Sequence, residues 1–574
     1  MSIVRVGARS TCSIAFVALL SLADPASAAM LNCTAATIIA LGVPRMTVTA
    51  ATVVPAAAPN PEYCDVRGSV DTGGNSAGFR FQLPVNWNGK LLFYGVGGTG
   101  GNVLAPSPNG VDRAASLVKG YATGVTDTGH QNPNNADASF ALTAPGVRNT
   151  AALVDYYYRA AHEVTVALKA LLPRFYGAAS VGRSYFDGCS NGGRMGLEAA
   201  KHYPDDYDGI IIGAPVPSQR QILLLLKGAE TNLEPPTARM PAEMLPVIDA
   251  AVYASCDAAD GVSDGLIQNP ALCSFDPQTL VCPAGNAANC LTQDQANGLK
   301  NYLRPLTDGK GRVLTPAHSV TDLAGGPINY QAYSLGPNPP IDPTGAEPWG
   351  TGPMARGWSL GDTTLKYIVY LDPTFNTRTF PMTVDGRIDD AAIDRFDAAT
   401  ADGTVSPSDL AKFIRKKRKM IIYHGFADHA LSPFTTMQFY ERLAKGHYAK
   451  LQATVRLFMV PGMQHCGGGR GPNTFDTLTA LENWVEHGVA PDSILATHST
   501  GTTVDRSMPL CKFPEKARYR GAGNVNDAAN WSCSPEPALL ESGPAGTQAG
   551  LTHERRDAQH NASRHDEGAR EDDD

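Results

Sequence analysis

The sequence predicts an α/β protein: a parallel sheet covered by helices on both faces and split by one long insertion. Three observations carry that prediction. Short apolar runs alternate with helix-period segments up to about residue 213. The alternation lapses over a stretch rich in proline and glycine. It then resumes after residue 407, with strands too few to form a sheet of their own. Composition agrees, with 43% hydrophobic and 18% charged residues in a chain of 574. Lysine and arginine number 47 against 55 aspartates and glutamates, a net charge of −8 that argues against a grip on nucleic acid. No apolar run of about 20 residues lies beyond the N-terminus, which excludes a polytopic membrane protein.

At the N-terminus, Arg5 and Arg9 precede an apolar stretch from Cys12 to Leu22, and Ala26-Ser27-Ala28 follows. That layout is a secretory signal peptide over residues 1–28, so the mature chain is expected to be secreted or periplasmic rather than membrane-anchored. A first half-domain is expected over 29–216. Lys90–Tyr94 is an apolar run ending in glycines, a buried-strand signal. Val154, Tyr157, Ala161, Val164, Leu168 and Leu171 recur at helical spacing. Ser180–Asp187 reads as a strand, Gly193–His202 as a helix and Gly209–Gly213 as a strand. Residues 217–406 form the insertion, expected to act as a lid. The second half-domain, 407–536, holds strands at Met420–Tyr423 and Val455–Val460, then a helix with Phe475, Leu478, Leu481 and Val485 on one face. Residues 537–574 are polar and charged, with too little apolar area to offset ordering entropy, and are expected to be disordered.

Export changes how cysteine is read. Removing Cys12 leaves ten of 11 cysteines, an even number that suggests disulfides. Spacing alone does not fix their connectivity. Cys256 and Cys273, Cys282 and Cys290, and Cys511 and Cys533 are near neighbours. Cys33 and Cys64 bracket one N-terminal segment, and Cys189 and Cys466 are left over. No CxxC pair supports zinc.

Gly188-Cys189-Ser190-Asn191-Gly192 matches G-x-S-x-G between a predicted strand and a predicted helix, the context of a nucleophile elbow. Ser190 is the candidate nucleophile, and the Asn191 N–H a candidate oxyanion donor. A serine needs a base, and the base an orienting carboxylate, in the order Ser, Asp or Glu, His for an α/β-hydrolase. Asp428 follows the strand ending at Tyr423, and His465 follows the strand ending at Val460. Both fall in loops at the carboxyl edge of strands, where open α/β sheets bind ligands. Gly95–Gly100 follows the strand ending at Tyr94. Gly97 or Gly98 is the candidate second donor, while a phosphate cradle is disfavoured because no Lys-Ser/Thr follows. If Ser190 and His465 meet, their neighbours Cys189 and Cys466 come within disulfide reach.

With these residues in place, the chain resembles the tannase/feruloyl esterase family of α/β-hydrolases over residues 30–535. The resemblance rests on Gly188–Arg194, Tyr203–Gly209, Gly120–Ala122 with Asp127–His130, Gly425–Asp428 and His465-Cys466. It implies a Ser190, Asp428, His465 triad with a Cys189–Cys466 bridge, and His130 reads as structural. It also implies a lid with a structural calcium site. The matching stretch runs from Cys256 to Leu266, with Asp257, Asp260 and Asp264 supplying carboxylates and Val262 and Leu266 supplying carbonyls. The implied activity is hydrolysis of small aromatic carboxylic esters, feruloyl or galloyl. Mono(2-hydroxyethyl) terephthalate hydrolases look similar and give the alternative. Selectivity is expected from Leu365–Phe380 and from Ala430 or Leu431. A non-catalytic calcium-dependent binding protein and a peptidase are the readings from other classes.

Overall fold

The structure is a computed structural model that describes residues 31–103, 116–283, 289–326 and 328–535. The expected signal peptide and C-terminal tail lie outside the described residues.

Nine strands form one sheet: β1 (Met46–Val54), β2 (Tyr63–Asp71), β3 (Ser76–Pro84), β4 (Lys90–Tyr94), β5 (Ala122–Thr126), β6 (Arg183–Cys189), β7 (Gly209–Gly213), β8 (Lys419–Gly425) and β9 (Val455–Val460). Their order is β1-β2-β3-β5-β4-β6-β7-β8-β9. From β5 onward every neighbour pairs parallel, while β1, β2 and β3 add an antiparallel edge. The central strands are buried on both faces, so their sequences are continuous apolar runs such as Ile210-Ile211-Ile212 and Met420–Tyr423.

Side-chain alternation sends the two halves of each strand set to different layers. Phe93, Phe186, Ile210, Ile212 and Ile422 pack on one face with Leu168 and Leu171 of α1 (Ala160–Tyr176) and with Leu197 of α2 (Asn191–His202). Tyr94, Tyr185, Ile211 and Ile421 pack on the other with Leu478, Leu481 and Trp484 of the helix Thr477–His487. The predicted helix through Val154 is not regular. An α-helical turn over Thr150–Val154 passes through a π turn, Asp155–Arg159, before α1 begins. The N-terminal antiparallel strands, a small sheet of Thr474–Phe475, Ser493–Thr500 and Thr503–Cys511, and a hairpin of Glu515–Tyr519 with Trp531–Pro535 carry no strand–helix beat and were not anticipated.

β7 and β8 are hydrogen-bonded neighbours, although the chain leaves the sheet at Gly213 and returns at Lys419. Between them the chain builds its own apolar clusters. One holds Ile248, Val252, Leu299 and Tyr302, and another holds Leu223, Leu226, Trp358 and Phe396. The structure fixes the connectivity that spacing left open: Cys33–Cys64, Cys189–Cys466, Cys256–Cys273, Cys282–Cys290 and Cys511–Cys533. No described helix is long and apolar enough to cross a membrane.

Candidate active site

Ser190 sits between the last residue of β6 and the first of α2, with φ +63° and ψ −127°. A non-glycine residue holds that backbone only when its surroundings force it. Here the Ser190 N–H donates to Gly213 O at 3.0 Å, and Arg194 N–H donates to Ser190 O at 3.0 Å. The turn closes tightly enough that a Cβ on Gly188 would lie 2.4 Å from Gly192 O, so the motif's first glycine is a steric requirement.

Asp428 lies in the loop after β8, fully buried, and every lone-pair direction of its carboxylate is used. Oδ1 accepts the N–H groups of Ala430 at 2.7 Å and Leu431 at 2.8 Å. Oδ2 accepts His465 Nδ1–H at 2.8 Å and faces His424 Nε2 at 3.1 Å. Burial opposes ionisation, but His465 and His424 outweigh it and hold the carboxyl well below the usual range. His424 Nε2 also lies 3.2 Å from Leu431 O, an acceptor like the carboxylate, so this nitrogen carries the proton. With Nδ1 of His465 given to Asp428, Nε2 is the nitrogen left to accept a proton. Tyr333 packs edge-on to the His465 ring at 5.8 Å, and burial pushes its hydroxyl up to about 12.

The Cys189–Cys466 bridge, with Cα atoms 6.0 Å apart, joins the residue before Ser190 to the residue after His465. Ser190, Asn191, His465, Gly97 and Gly98 all line one cavity of about 510 Å³. Asn191 is the first residue of α2, so its N–H has no intrahelical acceptor. Gly98 has φ +60°, and a Cβ there would strike Asn135 O at 2.0 Å, whereas a Cβ on Gly97 would meet nothing within 4 Å.

The inserted segment supplies the facing wall, including Ile222, Leu225, Ile328, Leu360, Thr364 and Ile368, with Ala430 and Leu431 beside Asp428. One part of the expected selectivity segment is corrected. Leu365 and Phe380 turn into the insertion's own core, because helical periodicity gives the cavity Thr364 and Ile368 instead. The wall also carries a guanidinium: Arg356 lines the cavity and donates to Asn135 Oδ1 at 2.9 Å. Sequence reasoning passed over His424, Arg356 and Tyr333. His424 stands four residues before Asp428 and offered a signal, but the two insertion residues belong to no motif.

His130, read as structural, stacks on Phe140 at 3.7 Å, and burial brings its imidazole down to about 4. In the Cys256–Leu266 loop, Asp257 accepts the Asp264 and Gly265 N–H groups, and Asp260 accepts those of Val262 and Gln268. Asp264 Oδ1 accepts Leu266 N–H, while its buried Oδ2 makes no hydrogen bond and lies 3.5 Å from Arg506 Nη1. Burial raises Asp260 to about 6 and also raises Asp264, and carboxylate repulsion adds to both. Among the described residues no three His, Cys, Asp or Glu side chains form a metal-ligand cluster.

Comparison with known proteins meets this geometry. The family model for tannase and feruloyl esterase matches residues 64–534. The chain belongs to the tannase and feruloyl esterase family. It is 34% identical over 540 residues to the mono(2-hydroxyethyl) terephthalate hydrolase of Piscinibacter sakaiensis, covering 85% of this chain and 87% of that protein. It is 28% identical over 508 residues to the probable feruloyl esterase B-2 of Aspergillus terreus, covering 82% and 86%. The crystal structure of feruloyl esterase B from Aspergillus oryzae superposes with a TM-score of 0.70 at 26% identity, covering 86% of this chain and 97% of that one. Tannin acyl hydrolase from Aspergillus niger shares the fold, with a TM-score of 0.67 at 22% identity over 88% and 96%. As a member of this esterase family the chain is a carboxylic ester hydrolase.

Proposed function

We propose that this esterase cleaves aromatic carboxylic esters through an acyl-enzyme on Ser190. His465 Nε2 takes the Ser190 proton as the hydroxyl attacks the ester carbonyl. The oxyanion forms against the Asn191 N–H and a second N–H from Gly97 or Gly98. Asp428 keeps the His465 proton on Nδ1 and stabilises the imidazolium. The imidazolium then protonates the leaving alcohol. Water, activated by the same imidazole, releases the acid. The observation that carries this reading is the Asp428–His465 hydrogen bond at 2.8 Å beside a bridged serine elbow in one cavity.

The cavity's volume and aliphatic lining suit an aromatic acyl group, feruloyl or galloyl. Arg356 favours a second reading, in which the acyl group bears another carboxylate, as in a terephthalate monoester. A guanidinium in a mostly apolar wall selects for an anionic substituent. Comparing kcat/KM for methyl ferulate, methyl gallate and mono(2-hydroxyethyl) terephthalate ranks these substrates. Ser190→Ala must abolish hydrolysis of all three and end labelling by a phosphonate ester; turnover retained in that variant overturns the mechanism.

Calcium is proposed as a structural ion of the Cys256–Cys273 loop. What supports this reading is the donor chemistry, three carboxylates within eight residues. Asp264 Oδ2 makes no hydrogen bond and faces Arg506 Nη1 at 3.5 Å, and the Asp264 carboxylate adds to the burial that raises Asp260. A bound ion would have to draw the three side chains together, since they form no ligand cluster among the described residues. Asp257, Asp260 and Asp264 would hold it, with the Val262 and Leu266 carbonyls, and hydrolysis draws nothing from it. Five disulfides support export by the segment 1–28 to an oxidising compartment, the periplasm or the medium.

A further inference from the structure

Arg194 is fully buried in the first turns of α2, and among the described residues it has no carboxylate partner. Three of its N–H groups are spoken for by neutral oxygens. Nε donates to Asn191 Oδ1 at 2.8 Å, Nη1 to Tyr157 O at 2.9 Å and Nη2 to Tyr156 O at 3.0 Å. The two carbonyls belong to the π turn before α1, whose widened backbone presents them to a side chain. The Tyr156 and Tyr157 rings stand 4.7 and 5.3 Å from the guanidinium carbon. A buried charge without an anion is costly, and an apolar side chain of similar volume would hold this core at less cost. The cation therefore needs a reason beyond packing.

Its contact with Asn191 supplies one. Because Nε–H must meet an acceptor, Asn191 presents its amide oxygen to Arg194 and its Nδ2 to the opposite side. There Nδ2 donates to Val96 O at 2.9 Å. Val96 C=O and Gly97 N–H are two ends of one planar peptide and point in opposite directions. Pinning the carbonyl to Asn191 thus aims the Gly97 N–H away from that side chain, and Gly97 lines the catalytic cavity with open space around it. The neighbouring Gly98 carbonyl is reached by the Tyr156 hydroxyl at 3.4 Å, on a tyrosine whose own carbonyl Arg194 holds.

We infer that Arg194 is a positioning residue: acting through the Asn191 side chain, it sets the Val96–Gly97 peptide so that Gly97 N–H, together with Asn191 N–H, receives the oxyanion. This rests on Ser190 being the nucleophile. It assigns the second donor to Gly97 and leaves Gly98 the role of shaping the loop. Lysine cannot replace the arginine, because one ammonium cannot span Asn191 Oδ1 and two carbonyls in the plane of a fork.

The test separates transition-state from ground-state binding. Phenylboronic acid, which adds to a serine as a tetrahedral anion, and benzoate, a product-like acid, are titrated against wild type, Arg194→Lys, Asn191→Ala and the double variant. Turnover of 4-nitrophenyl acetate is measured in parallel. Loss of one oxyanion donor costs about 10²–10³ in kcat. Each single variant is expected to lose roughly 30-fold or more in kcat and in boronate affinity, with KM and benzoate affinity within threefold. Arg194→Lys in the Asn191→Ala background should add less than a further threefold. Multiplicative losses, or benzoate and boronate weakening together, overturn the inference. If Arg194→Lys does not fold, Asn191→Ala alone decides, and a kcat loss under threefold overturns it. The nucleophile reading is tested apart from this, since phosphonate labelling of Ser190 in wild type stands or falls without either variant.

Discussion

Replacing Asp428 by asparagine removes one acceptor from a carboxylate that uses all of them, and the structure says where the damage falls. The two backbone N–H groups on Oδ1, at 2.7 and 2.8 Å, belong to a buried loop and cannot turn away. The new NH2 group therefore takes the Oδ2 side, where it confronts His465 Nδ1 and His424 Nε2. His424 keeps Leu431 O as its acceptor at 3.2 Å. His465 has no such alternative and answers by changing tautomer, so that Nδ1 accepts and Nε2 carries the proton. The nitrogen meant to accept the Ser190 proton is then already protonated. A wrong tautomer in a serine triad with intact geometry costs about 10⁴ in kcat, close to 5.5 kcal/mol of barrier. Steady-state kinetics on methyl ferulate check the loss, with an unchanged near-UV spectrum as control. Stability carries a second signature. Asp428 is held far below its unfolded value, so its stabilising contribution is complete above about pH 4 and declines as pH falls below that. The stability gap between wild type and Asp428→Asn should accordingly narrow below about pH 4. A variant retaining more than a few per cent of kcat refutes the tautomer argument.

Three further outcomes are expected. Cys189→Ser with Cys466→Ser reopens a 277-residue loop, and even with the two bridges inside that loop the chain-entropy model gives roughly 5–6 kcal/mol as an upper bound. Guanidinium unfolding should show a loss of several kcal/mol, and activity should fall because the elbow and the base loop are no longer tied; an unchanged midpoint refutes the tie. Calcium should raise the melting temperature by about 2–4 °C at 100 times its Kd. The gain should grow as pH rises through about 6, where Asp260 ionises, and vanish in Asp264→Asn. Differential scanning calorimetry with and without chelator decides it. Arg356→Gln should lower kcat/KM for mono(2-hydroxyethyl) terephthalate by about 10- to 100-fold, the worth of a charged hydrogen bond, and methyl ferulate by only a few fold. Equal losses on both substrates refute selection by charge.

Local chemistry made much of the site legible before any coordinates. A glycine on either side of Ser190, an acid after one buried strand and a histidine after the next are features of short segments. Backbone geometry at a strand end constrains them wherever they occur. The paired cysteines follow from the same logic, since residues adjacent in sequence to converging side chains must themselves converge. The apolar runs of β4 and β6–β9 were legible because strands buried on both faces are dominated by apolar side chains, with only a few polar residues such as Asp187 and Arg456 among them. β1 and β2 escaped notice because exposed and half-exposed polar residues interrupt their apolar ones, and β3 because Arg80 and Gln82 break an otherwise buried apolar run. His424, Arg194 and Arg356 act through partners 4, 3 and 221 positions away. No spacing rule joins the last of these. Arg356 meets Asn135 only because the chain between β7 and β8 folds back over the cavity. Which residues carry the chemistry is thus written locally, in turns and strand ends. Which residues face the cavity was decided by tertiary packing, where helical periodicity turned Leu365 inward to the insertion's core and left Thr364 and Ile368 to the cavity.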